Sequence, residues 1–385
     1  MITVFFSDIP WYGLHQRPQH LATRFAKHTP LLWIEPATLG AETHFSPRKV
    51  SENIHTLSMP QFPHNARNRV IRWLTWPLSI LLPIRLLLTW VQLILLRRAI
   101  KELEVENEPA QFFVQNFQFS DLIEECTPTV LLFDYIDNAF GFVRFPRYVH
   151  RAWVAMIKRA NVVTATSPTL VKLIAQHNVT AMLVTNGVEY EFFTRMEKNE
   201  RPADIPNDGK PIIGYIGSIY AWFDFDLVRL VASKFDEAHV ILIGHKHPVI
   251  REESNALQSL PNVHFLGIRP YPKVPEYLRH FDVGIIPFKR NRLTESVNPV
   301  KLYEYSAAGL PTVSTFFSDD LNDYRSLIFV GGSHEEFVSL ITVALTKKSD
   351  DSFAVNLQNF AREHDWDAIA EKLWSVMSTA ENDSV

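Results

Sequence analysis

Residues Asn298 to Tyr305 read Asn-Pro-Val-Lys-Leu-Tyr-Glu-Tyr, and Ser-Ala-Ala-Gly-Leu-Pro-Thr-Val follows to Val313. Asn298 has the side chain of a helix N-cap. Pro299 fits the first helical position, where a missing N–H costs no hydrogen bond. A helix starting there places Lys301, Glu304 and Tyr305 on one face, at i, i+3 and i+4. Gly309 ends it, and Leu310 to Ser314 resumes as a buried strand. One cation, one carboxylate and a helix N-terminus then point the same way. Such a set can hold a sugar nucleotide: the N-terminus and Lys301 take the diphosphate, and Glu304 accepts hydrogen bonds from ribose hydroxyls. The same spacing also fits an amphipathic helix whose charges are solvated.

Other side chains stand where strands give way to helices. Gly214-Tyr215-Ile216-Gly217-Ser218 ends an apolar strand. Gly217 permits a tight turn there, and the helix that follows near Asp224 offers free N–H groups to phosphate. The full dinucleotide fingerprint and the P-loop signature are both absent, which argues against NAD binding and ATP hydrolysis. Asp134 and Asp137 follow an apolar strand at the edge where open α/β sheets place ligands. A carboxylate there can take a proton from an acceptor hydroxyl, although either could instead cap the next segment. His15, Arg17 and His20 lie in the first βα loop and the helix behind it. Arg17 can hold a diphosphate on a donor or acceptor, or simply start that helix with Pro18. Asp224-Phe225-Asp226 looks like a metal-binding Asp-x-Asp, but helix capping explains Asp224, and His245 with His247 is too sparse for a metal site. No metal or cofactor is expected.

The elements that must position these residues alternate between apolar β-rich runs and helical patterns, which predicts an α/β fold with parallel sheets. Strands are expected at Thr3–Phe6, Leu31–Ile34, Phe112–Gln115, Val130–Phe133, Val162–Ala165 and Ala181–Val184. A second series is expected at Ile212–Tyr215, Val240–Ile243, Val263–Leu266, Val283–Ile286, Thr312–Ser314 and Ile328–Val330. The chain of 385 residues, 46% hydrophobic, supports two domains with large cores. We expect an N-terminal domain over 1–196, a polar linker over 197–211, a C-terminal domain over 212–362 and a closing segment over 363–385. In that segment Trp366, Ile369, Leu373, Trp374 and Met377 share a helical face. A net charge of −4 does not suggest nucleic acid as a partner. The single cysteine, Cys126, excludes an intrachain disulfide and fits the cytosol. The start, MITVFFSDI, reads as a buried strand and lacks the basic start and long apolar core of a signal peptide.

Several of these stretches together resemble the GT-B glycosyltransferases. Beside the segment from Phe281 to Ser314, they are RPQHLA (17–22), FDYIDN (133–138), TNGVEYEFF (185–193), GYIGS (214–218), WFDFD (222–226) and FDVGIIPF (281–288). The likeness is to the donor-binding half of glycosyltransferase family 4, in a bacterial branch with teichuronic acid and xanthan-type glucuronosyltransferases. It covers most of the chain, from Ile2 to about Val376. It implies two Rossmann-like domains facing a cleft and a last helix that crosses back to the N-terminal domain. It further implies metal-independent transfer from a nucleotide sugar to a lipid-linked or polysaccharide acceptor in bacterial cell-surface glycan synthesis. By resemblance the donor contacts are Gly217, Ser218, Asn298, Lys301 and Glu304. The loop at Arg269, Tyr271 and Pro272 lies near the nucleotide base, where Tyr271 can stack on it or pack the loop. A base is implied in the N-terminal domain, without a choice between Asp137 and Asp134. The chain departs from the family at Ser296, which stands where the family usually has Glu; Glu295 is one residue off register. A direct contact from that Glu to the transferred sugar therefore does not carry over. A nucleotide-sugar 2-epimerase and a non-catalytic sugar-nucleotide-binding protein share the fold and remain alternatives.

Arg67–Lys101 is the most hydrophobic region. Its charge-free runs, Trp73–Ile84 and Leu86–Leu96, fall short of the roughly 18–20 apolar residues that span a bilayer. Arg85, Thr89 and Gln92 form a narrow polar stripe among Leu, Ile, Val and Trp90. Arg67, Arg69 and Arg72 flank one end, and Arg97 and Arg98 the other. This pattern suits an interfacial helix near anionic lipid, which would put the protein peripherally on the inner face of the cell membrane. A helix buried inside the fold is the alternative.

Overall fold

The computed structural model describes residues 1–12, 15–37, 42–62, 69–142, 145–194 and 201–382. Residues 197–200 of the expected linker and Arg67 of the expected membrane segment lie outside the described residues. So do the side chains of Arg69 and Arg72. The chain divides into two units, Met1–Val184 with Ile369–Val385, and Thr185–Ala368.

The first unit holds β1 (Ile2–Phe6), β2 (Leu31–Pro36), β3 (Arg48–Ser51), β4 (Ile54–Met59), β5 (Ala110–Val114), β6 (Val130–Tyr135), β7 (Val162–Ala165) and β8 (Met182–Leu183). They form one sheet in the order β3-β4-β2-β1-β5-β6-β7-β8, parallel throughout except where β3 runs against β4. The connecting helices are α1 (Arg17–Phe25), α2 (Arg69–Ile80), α3 (Leu82–Glu102), α4 (Ser120–Glu124), α5 (Ala139–Phe142), α6 (Arg147–Arg159) and α7 (Pro168–Ala175). Strand β1, Ile-Thr-Val-Phe-Phe, is buried along its whole length because helices cover both faces of a parallel sheet. Phe5 stacks on Trp33 and Phe113, while Phe6, pointing to the other face, meets Phe112 and Phe119. The sequence reading anticipated every strand of this sheet except β3 and β4. Most of β3 is exposed and polar, and β4 carries His55, Thr56 and Ser58 among its apolar residues, so neither makes a continuous apolar run.

The second unit holds β9 (Ile212–Ile216), β10 (His239–Ile243), β11 (Val263–Gly267), β12 (Val283–Ile286), β13 (Thr312–Thr315) and β14 (Phe329–Gly331). All are parallel, in the order β11-β10-β9-β12-β13-β14. This is the Rossmann order, whose switch point lies between β9 and β12. Helices α8 (Tyr190–Thr194), α9 (Phe225–Lys234), α10 (Arg251–Gln258), α11 (Val274–Leu278), α12 (Val300–Ala307), α13 (His334–Lys347) and α14 (Asp351–Glu363) belong to it. The first division falls after Val184, ahead of the expected end at 196, because Tyr190 and Phe193 of α8 pack into the core of the second unit. The last helix, α15 (Trp366–Asn382), joins the first unit from Ile369 on. Trp374 stacks on His28 at 4.5 Å and meets Phe25 at 5.7 Å, and Leu373 and Met377 are buried. The expected return of the C-terminal helix to the N-terminal domain is therefore present.

Candidate active site

In the second unit, the end of β9 and the start of α12 are built around glycines. Gly214 and Gly284 are register partners on β9 and β12. Side chains there would collide with the rings of Phe281 and Tyr305 respectively. The bare backbone at Gly284 lets Tyr305 lie flat on the sheet, where its hydroxyl accepts from Ile216 N–H at 2.9 Å. That bond fastens α12 to the last residue of β9. The Tyr215 hydroxyl donates to Ser218 O at 2.8 Å and closes the turn after it. At Gly217 φ is +149°, a conformation that disfavours a side chain, and a Cβ there would overlap Cε and Nζ of Lys301. The amine of Lys301 thus lies against a bare turn at the switch point, 5.3 Å from the centroid of Tyr215 and 5.5 Å from that of Phe288.

Glu304 stands on the same face of α12, and both residues are half-buried. Among the described residues, neither forms an ion pair. Burial pulls Lys301 below the usual lysine range, and Glu304 partly opposes this. Burial likewise pushes Glu304 up to about 7 against the pull of Lys301. A cation with only ring faces beside it and a carboxylate, both part-desolvated and neither in an ion pair among the described residues, have given up hydration without a full replacement. That is the condition of side chains waiting for a ligand rather than of a solvated surface pair.

One expectation for this region is corrected. Asn298 does not cap α12: the cap position is Pro299, with no side-chain cap bond. Instead Asn298 Oδ1 accepts from Asn186 N–H at 2.8 Å and from the Tyr303 hydroxyl at 3.0 Å. Asn186 Nδ2 donates in return to Asn298 O at 2.7 Å, so the Asn-Gly turn at 186 is tied to the α12 entry. Tyr271 lies parallel to Phe192 at 5.4 Å, which is the loop-packing alternative, with that ring face already covered. Ser296 is buried and donates to Leu293 O, while Glu295 pairs with Arg290 at 3.0 Å. Asp224 accepts from Leu227 N–H and caps α9, as expected; its other oxygen faces His334 at 2.9 Å. Among the described residues, no group of three or more His, Cys, Asp or Glu could hold a metal ion.

In the first unit, Asp134 and Arg17 find each other instead of substrate. Arg17 Nε and Nη2 grip the two Asp134 oxygens at 2.9 and 3.0 Å. Gln115 and Thr164 add bonds at 2.9 and 2.7 Å. Four donors meet the four lone-pair sites of one carboxylate, and both residues are buried. This corrects Asp134 as a base and Arg17 as a diphosphate ligand; the pair is internal framework.

Asp137 is different. It is half-buried after β6, and among the described residues no side chain is hydrogen-bonded to its carboxyl. Burial, reinforced by the charge of Asp8, raises it to about 7. Asp8 keeps an open surface after β1, yet the surrounding protein raises it to about 6; its own backbone N–H opposes that shift and Asp134 adds to it. The sequence reading missed Asp8, although a carboxylate just past the first strand is the same signal that picked out Asp137. The buried Tyr135 hydroxyl, on the same strand end, has no hydrogen-bond partner among the described residues and is held protonated by burial and by Asp137. His15 and His20 meet edge-to-face at 4.2 Å. Burial and Arg24 lower His15, and burial, His15 and Arg24 lower His20 much further. Both rings are therefore neutral near pH 7.

The hydrophobic segment is turned with its polar stripe inward. Thr89 and Gln92 are buried, Gln92 donates to Pro60 O at 2.6 Å, and Arg85 forms a two-pronged pair with Asp121. The outer face presents Leu86, Leu87, Trp90 and Ile94, with Leu87 and Trp90 each 60% exposed. The buried-helix alternative therefore fails for this face. Among the described residues, no helix is long and apolar enough to cross a membrane.

Comparison with known proteins agrees with this geometry. Residues 210–347, which contain the Gly217–Lys301–Glu304 cluster, match the family described as Glycosyl transferases group 1. TuaH of Bacillus subtilis (strain 168), named as a teichuronic acid biosynthesis glycosyltransferase, is 26% identical over 234 residues. The match covers 59% of this chain and 59% of TuaH. Sucrose-phosphate synthase from Thermosynechococcus elongatus superposes with a TM-score of 0.73 at 13% identity, covering 99% of both chains. HepE of Anabaena, solved with UDP and glucose, gives 0.67 at 14% identity, covering 98% of this chain and 99% of its own. The chain has the GT-B glycosyltransferase fold, and its residues 210–347 form a group 1 glycosyl transferase domain.

Proposed function

We propose that this protein transfers a sugar from a nucleotide-sugar donor to a hydroxyl of a lipid-linked or polysaccharide acceptor in cell-surface glycan synthesis. The observation that carries this reading is the part-desolvated Lys301 over the Gly217 turn, with part-desolvated Glu304 on the same helix face and neither in an ion pair among the described residues, inside the group 1 domain. Lys301 and nearby N–H groups, with Ser218 beside them, stabilise the departing diphosphate as its bond to the anomeric carbon breaks. Glu304 takes hydrogen bonds from ribose hydroxyls. Asp137 takes the proton that the acceptor hydroxyl loses as the new bond forms. HepE, solved with UDP and glucose, favours a UDP donor. Nothing in the chain favours the 2-epimerase alternative. The test is turnover of a labelled nucleotide sugar with and without membrane lipid, preceded by a thermal-shift screen of UDP- and GDP-sugars. Stabilisation without turnover on any acceptor would leave a binding protein of the same fold.

Gly217→Ala checks the donor turn. A side chain there is strained by the positive φ and displaces the Lys301 amine, so nucleotide-sugar affinity should fall at least about 10-fold. Wild-type affinity in this variant would mean that the turn does not place Lys301 for the donor.

The outward apolar face of α2 and α3 fits a peripheral position on the inner face of the cell membrane, with Arg97 and Arg98 at one end near anionic headgroups. Vesicles containing anionic lipid should carry the protein in flotation, less so at high salt. Replacing Leu86, Leu87 and Trp90 by Ser should release it while transfer to a soluble acceptor persists. Flotation that ignores both changes would refute this placement.

A further inference from the structure

We propose that the groove between α4 and α6 in the first unit binds the phosphate headgroup of an anionic phospholipid. It extends the membrane-surface reading of α2 and α3, but its test needs no membrane. The groove has a volume of about 470 Å³, within the usual range for small-molecule sites. Helix α6, Arg-Tyr-Val-His-Arg-Ala-Trp-Val-Ala-Met-Ile-Lys-Arg, carries Arg147, Arg151, Lys158 and Arg159 and no acidic residue. Arg151, Ala155 and Arg159 recur every four residues, so they line one face, and all three are exposed. Ala152 and Ala155 keep the floor low between the arginines.

Two other features set the charge. Arg159 donates to Ile123 O at 2.5 Å and to Cys126 O at 2.7 Å. These partners are neutral carbonyls, so the guanidinium keeps its positive charge at one end of the groove. At the other end Arg85 is neutralised by Asp121 and lies 4.3 Å over the Tyr148 ring. Three arginines thus line the groove against two carboxylates, Asp121 and Glu124, and Arg151 forms no ion pair among the described residues. A smaller adjoining cavity is lined by Gln118, whose buried Oε1 has no hydrogen-bond partner among the described residues and can accept from a headgroup hydroxyl. Arg85 lines both cavities from α3, whose opposite face is the exposed apolar one. A ligand with a phosphate and hydroxyls satisfies both cavities; a choline headgroup brings a cation and no hydroxyl donor.

The test is calorimetric titration with dihexanoyl phosphatidylglycerol below its micelle concentration, set beside dihexanoyl phosphatidylcholine and inorganic phosphate. The glycerol lipid should bind at least about 10-fold more tightly than either. Arg151→Glu reverses the unpaired charge, and Ala155→Trp fills the floor without changing charge. Each should weaken phosphatidylglycerol at least about 10-fold, while the Leu86, Leu87 and Trp90 to Ser variant keeps it. Equal affinity for the two lipids, or wild-type affinity in both groove variants, overturns the site. Phosphate binding as tightly as the lipid overturns the lipid assignment in favour of a free-anion site. Loss of vesicle flotation with headgroup binding intact separates this site from the apolar anchor.

Discussion

Lys301→Ala and Glu304→Ala are each expected to lower glycosyl transfer on the order of 100-fold, with the fold intact. Removing a preorganised contact to developing diphosphate charge costs about 2–4 kcal/mol of transition-state stabilisation. Truncating Lys301 also removes a part-desolvated amine that has no ion-pair partner among the described residues, so little stability should be lost with it. The same holds for Glu304, whose carboxyl burial raises to about 7. The measurement is steady-state transfer at saturating and subsaturating donor, beside thermal melting. Wild-type rates in both variants would refute the site. A collapse of the melting temperature would instead make the pair structural.

Asp137→Asn should lower transfer by at least about 100-fold, the low end for losing a general base, while donor binding survives. A base works only when deprotonated. Because burial and Asp8 raise Asp137 to about 7, activity should fall as pH drops through about 7. An ordinary carboxylate would lose activity only near about 4. Asp8 is itself raised to about 6, so the two titrate as a coupled pair and the acid limb belongs to both. Asp8→Asn removes the like charge, and the acid limb should move to lower pH. A limb near 4 in the wild type, or normal turnover of Asp137→Asn, places the base elsewhere. The control is Asp134→Asn. It removes the charge of a buried ion pair while Arg17 stays buried, so it should cost about 3–5 kcal/mol of stability rather than a specific step of the reaction.

Apart from β3 and β4, the strands of both sheets were legible because a parallel strand buried on both faces writes itself as a local apolar run, as Val283–Ile286 and Val130–Phe133 do. That Lys301 and Glu304 share a helix face was legible for a similar reason: residues three apart along a helix lie on one side whatever the helix packs against. The conformation of Gly217 followed from its place at a strand end. None of these needs a distant partner.

What the tertiary structure alone decided involves partners far apart in sequence. Arg17 and Asp134 are 117 residues apart, and only the order β1-β5-β6 brings the start of α1 to the end of β6. That contact turned two candidate site residues into framework and left Asp137, three positions further on, as the accessible carboxylate. Asp8 joined it through the same sheet order. Asn298 looked like a cap until Asn186, 112 residues earlier, took its oxygen. The stripe of Arg85, Thr89 and Gln92 has the same spacing whichever way α3 is turned. Asp121 and Pro60 O turned it inward, because a part-buried guanidinium and a buried amide need partners that only the fold supplies. Local periodicity follows from backbone geometry, whereas the partner of a buried polar group depends on which strands become neighbours.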